Sequence, residues 1–259
     1  MAGVVALILL TISASPSLAA YGDPPASGTN SAVNFEARAR AAYEHARNRH
    51  EADTNNAVAI DFARTCFDLA DLVKTDRERA EIATEGIEAC ESVLARDPQS
   101  APAHYYLAMD YGQLARTETL GALKLVKEME QEYKAVVELD ENYDYAGADR
   151  GLGLLYRDAP TWGSIGSRSK ARQHLERAVE LAPDYPENRL NLAETYLKWA
   201  DRESARQQLD ALDKTWAAAR AKFTGDAWVL SWQDWNTRLA EARRRLQKLS
   251  QPPHSGHSL

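Results

Sequence analysis

"KARQHLERAVELAPDY" at residues 170–185 is answered by "SARQQLDALDKTW" at 204–216. Ala171, Leu175 and Ala178 lie 34 residues before Ala205, Leu209 and Leu212. A fixed interval of that size marks helical units that bury their apolar faces against their neighbours. The same phase recurs upstream. Leu107, Ala108 and Tyr111 form one set, Leu152, Gly153 and Tyr156 a second, and Leu192, Ala193 and Tyr196 a third. Pro98 precedes Leu107 by nine residues, Pro183 precedes Leu192 by nine, and Ala205 follows Tyr196 by nine. Small residues recur where two helices cross closely, and tyrosine supplies bulk with one polar end.

This pattern resembles the tetratricopeptide (TPR) motif, in which Leu, a small residue and Tyr mark a first helix. Ala, a bulky apolar residue, Ala and Pro mark the second. The resemblance implies an all-α, TPR-type α-solenoid of about four helical hairpins, near 56–97, 101–140, 146–182 and 186–223. An amphipathic helix over 32–50, with Phe35, Ala39, Ala42 and Ala46 on one face, is added before them. After them Gly225 breaks the chain and Asp226 is placed to cap a last helix. That helix carries Trp228, Trp232, Trp235, Leu239, Ala242, Leu246 and Leu249 as one stripe. A solenoid end exposes an apolar face, so the stripe reads as a capping helix. Three tryptophans in two turns also fit a homo-oligomer seam.

Composition agrees with helix throughout: thirteen glycines and ten prolines are few for 259 residues. The net charge of −7 comes from 31 basic and 38 acidic residues mixed along the chain, so no basic stripe offers itself to nucleic acid. The first residues follow the grammar of a secretory signal peptide, with an apolar stretch Val4–Ile12 and Ser17 and Ala19 at −3 and −1 of a cleavage site. The expected organisation is a signal peptide over 1–19, a disordered linker over 20–31, a helical domain over 32–249 and a disordered tail over 250–259. The expected location is periplasmic or secreted, with no stable membrane insertion of the mature chain, because the apolar stretch falls short of a span.

Catalytic and metal chemistry find no support. His45 and His50 sit about 140° apart on a helix, and His104 and His174 are isolated. No HExxH or CxxC spacing occurs, and no cofactor is expected. "TWGSIGSRSK" at 161–170 lacks the spacing of a phosphate loop or a nucleophile elbow. It reads as a helix–helix connection in which Ser167 caps the following helix, although Trp162 is costly apolar surface to leave wet. Glu128, Glu130 and Glu132 read as a solvated face. Cys66 and Cys90 allow a disulfide, yet the residue facing Cys66 in the hairpin lies near 85, so two buried small apolar residues is the reading preferred.

The segment from Gly151 to Asp201 also resembles the TPR-built T-component (TatT-like) of TRAP transporters, over roughly residues 105–223. That resemblance implies a periplasmic protein that associates with a solute-binding partner. The family's lipid-anchor cysteine is missing here. Carrying the motif's groove positions over gives Tyr105, Met109 and Gln113, then Arg150, Leu154 and Arg157, then Leu190, Glu194, Leu197 and Lys198, with Trp162 on the adjoining loop. The function read from this is an exported, non-enzymatic adaptor that binds a protein partner through its concave groove. The alternative is a binding protein for an apolar small molecule, held by the same groove and the Trp162 loop.

Overall fold

The computed structural model describes residues 35–118 and 121–250. The expected signal peptide, the linker 20–31 and the tail beyond Ser250 lie outside the described residues. Within them the chain forms ten α-helices, one 3-10 turn and no strand. These are α1 (Phe35–Ala52), α2 (Asn56–Leu72), α3 (Asp76–Leu94), α4 (Ala101–Ala115), α5 (Ala122–Leu139), α6 (Tyr143–Asp158), α7 (Arg168–Leu181), α8 (Pro186–Lys198), α9 (Arg202–Lys222) and α10 (Val229–Ser250). Four hairpins, α2/α3 to α8/α9, stack in chain order between α1 and α10, as the repeat phase implies.

Local signals set the helix starts. The side chains of Asn55, Thr75, Ser167 and Asp201 each accept a hydrogen bond from a backbone N–H three residues on, opening α2, α3, α7 and α9. Pro186 opens α8, where its missing N–H costs nothing. The repeated small residues lie where the helices cross. Ala108, Ala171, Ala193 and Ala205 are all buried. A methyl group on Gly153 would come within 2.5 Å of Leu175 Cγ, so α6 and α7 approach too closely for a side chain there.

The signature tyrosines do more than fill space. The Tyr156 hydroxyl donates to Glu130 Oε1 at 2.6 Å and the Tyr196 hydroxyl to Glu176 Oε1 at 2.6 Å. Tyr111 donates to Glu91 Oε1 at 3.4 Å. Each bond runs from a first helix back to the second helix of the preceding hairpin, so the repeat contains a polar clasp between units.

At the N-terminal end Ala39, Ala42, Tyr43 and Ala46 bury one face of α1, with Phe35 only partly covered. At the other end Trp232, Trp235, Leu239 and Ala242 are buried against α8 and α9, with Trp228 and Leu246 partly so. The stripe therefore closes the stack within the chain, and Leu249, 37 % exposed, runs out of it. Asp226 does not cap α10. It opens the turn Asp226–Trp228, and its carboxylate lies 4.0 Å from Arg38 of α1. Cys66 and Cys90 are buried free thiols, and Gly86 faces Cys66, close to the opposition expected.

Candidate partner-binding face

Most of the motif positions carried over as groove-lining lie inside the stack. Tyr105, Met109, Gln113, Arg150, Leu154, Leu190 and Leu197 are all buried. Tyr105, Gln113 and Arg150 reach a neighbouring first helix, whereas Met109 accepts from the Tyr133 hydroxyl of α5 at 2.9 Å. Tyr105 lies against the Cα of Gly147 on α6, where a methyl group would come within 2.6 Å of its hydroxyl. Gln113 donates to Asp71 of α2 at 3.3 Å. Arg157, Trp162, Glu194 and Lys198 alone of the expected set remain accessible.

Arg150 is the hub of this packing. Its guanidinium donates to Asp144 Oδ2 at 2.7 Å, to the Tyr105 hydroxyl at 3.3 Å and to Asn188 Oδ1 at 3.1 Å. It thereby ties α4, α6 and α8 together. Burial works against its charge, yet Tyr105, Asp144 and Glu187 hold its pKa well above the usual arginine value. The same guanidinium donates to the carbonyls of Asp144 and Tyr145, at 3.3 and 3.4 Å. Those two residues and Ala146 have φ of 47°, 56° and 61°, a left-handed turn costing about 1–2 kcal/mol per residue. Arg150 thus braces a strained entry to α6. Sequence reading carried it over as a groove residue; the structure places it inside the contact between first helices, and nothing local signals the positive φ values.

The accessible residues gather at the C-terminal ends of α6 and α8. Arg157 donates to Asp158 through Nε at 2.9 Å and to Thr195 Oγ1 at 3.3 Å, while Lys198 Nζ reaches Asp158 at 2.6 Å. Burial alone would raise the Asp158 pKa; Arg157 and Lys198 override it and hold the carboxyl below the usual range. Glu194 accepts both arms of Arg238 from α10, at 2.9 and 2.8 Å, so part of this face is already covered by the last helix. Arg238 also bonds Asn191, a contact with no separate sequence signal. The loop after α6 stands clear: Trp162 is 93 % exposed. A separate cavity of about 420 Å³ opens between α9 and α10, lined by Arg220, Phe223, Val229 and Trp232. Among the described residues no group of three or more His, Cys, Asp or Glu is arranged to hold a metal.

Comparison with known proteins agrees with this architecture. The tetratricopeptide-repeat family matches residues 166–222. The family described as "Regulator of microtubule dynamics protein 1-3" matches residues 29–146. Neither is the transporter T-component. No curated protein matches the chain. The crystal structure of a thermophilic TPR protein from Thermus thermophilus is similar over 80 % of this chain and 92 % of that one, at 21 % identity and a TM-score of 0.59. Fold and matches together show a TPR-type fold, with the repeat's own family model matching residues 166–222.

Proposed function

We propose that the chain is an exported adaptor that holds a protein partner against the ends of α6 and α8, as an accessory component of a periplasmic TRAP-type system with a solute-binding protein as that partner. The observation supporting it is the accessible cluster of Arg157, Lys198 and Glu194, fixed by the bonds above on a floor of buried Leu154, Leu190 and Leu197. A preorganised polar cluster suits a folded partner, because little ordering remains to be done on binding. The test is co-purification of the full-length protein from its own envelope extract, with N-terminal sequencing of the product. A chain beginning at Ala20 with a stoichiometric solute-binding protein is expected, and Arg157→Glu with Lys198→Glu lowers the partner's yield at least about tenfold. A chain retained inside the cell, or a partner captured equally by the double variant, would sink the reading.

A second reading rests on the family match over 29–146, under which the N-terminal half acts on microtubules. Its test is co-sedimentation of the purified protein with polymerised tubulin, where absence from the pellet rejects it.

A further inference from the structure

We infer that the Trp162 loop and the cations beside it seat this edge of the protein on an anionic lipid surface. The loop is held in place. Gly166 N–H donates to Pro160 O at 3.0 Å and Ser167 N–H to Tyr156 O at 2.9 Å, closing it onto the end of α6. Gly163, with φ of 75°, turns the chain beside Trp162. The indole is thus presented at 93 % exposure from an anchored tip, where a wet tryptophan is costly unless something covers it.

The exposed charge at the start of α7 is basic, with Glu130 within electrostatic reach of Lys170. Arg168, Lys170 and Arg172 are exposed on the first turns of α7, and none has a carboxylate within 4.0 Å among the described residues. Instead they lie over aromatic rings: Arg168 over Trp199 at 4.7 Å, Lys170 over Tyr156 at 4.9 Å and Arg172 over Tyr196 at 5.7 Å. The first turn of α7 contains no acid, and cations there oppose the helix dipole, so helix stability does not account for them. In a chain of net charge −7 this block is a local reversal.

A protruding indole beside cations fits a headgroup layer. Tryptophan settles at the membrane–water boundary, and each cation gains from anionic lipid. A protein partner would need a slot shaped for the indole, whereas a fluid lipid layer forms one around it. No described helix is long and apolar enough to cross a membrane, so the contact is peripheral.

The test is co-sedimentation of the full chain with phosphatidylcholine vesicles, with and without phosphatidylglycerol. Binding is expected only with the anionic lipid, and it weakens as salt rises. Replacing Arg168, Lys170 and Arg172 together by Gln lowers partitioning about 100-fold, at roughly fivefold per charge. Trp162→Ala lowers it about tenfold, and because that side chain is exposed the variant keeps its circular-dichroism melt. Failure of the wild-type protein to sediment, the outcome if an acidic protein surface docks here instead, overturns the inference. So does undiminished binding by Trp162→Ala.

Discussion

Asp110 lies in the interior of the α3/α4 contact with 0 % exposure, its carboxyl against Gly86 and near Cys66. Neither oxygen has a hydrogen-bond partner from the protein. Burial pushes its pKa well above the ordinary carboxylate value, and the neighbouring charge of Asp68 adds to that. Asp68 is itself pushed up to about 7 by burial, with Arg64 opposing the rise. Both folded pKa values exceed the unfolded ones, so the folded state binds more protons. The stability these groups contribute is complete below about pH 4 and is lost as pH rises, for Asp68 through about 7. Asp110→Asn removes one ionisable group at nearly constant shape. It should stabilise the protein by about 1–3 kcal/mol at pH 8, a gain that shrinks towards pH 4, as urea melts at the two pH values would show. No gain at pH 8 would mean that Asp110 is satisfied in solution. Sequence reading overlooked this residue, because an aspartate beside a signature tyrosine carries no mark of burial.

Among the elements, α10 was the most legible from its pattern. Its stripe follows one helical face, and the structure folds that face onto α8 and α9. What the pattern omitted was the polar attachment, in which Arg238 grips Glu194 and reaches Asp234 at 3.2 Å. Trp235 is fully buried, with its ring 5.5 Å from Tyr185 and 4.9 Å from Trp232. Trp235→Ala should cost about 3–5 kcal/mol and expose apolar surface at the end of the stack, raising dye binding in a thermal scan. A variant as stable as the parent would show that the cap is dispensable. By contrast, the first turn of α6 was illegible. The chain enters it left-handed through Asp144, Tyr145 and Ala146, residues that seldom take that conformation, because Arg150 from further along the chain supplies the compensating bonds.

For the whole molecule, stability in such a stack sums over neighbouring units, so a residue that touches three of them has leverage beyond its own contacts. Arg150 is that residue. Arg150→Met leaves the partly exposed Asp144 carboxylate without its ion pair and should cost about 2–4 kcal/mol. The expected readout is a broadened or two-step circular-dichroism melt, as the N-terminal and C-terminal hairpins lose a shared anchor. A single sharp transition at the parent temperature would remove Arg150 from that role. The candidate site was legible only in part for the same reason. Motif positions indicate which side of a helix a residue occupies, and Arg157, Glu194 and Lys198 did stay accessible. They do not indicate how far a tyrosine, methionine or arginine at those positions reaches into the next helix.

Periodicity by itself determined the helices, their pairing and their order, since apolar and small residues at a fixed phase bury their faces only when like units stack. The tertiary structure alone decided which side chains remain for a partner. Access depends on the gap between neighbouring helices, and here the glycine at 147 lets Tyr105 of α4 close against α6, so that much of the expected lining is buried.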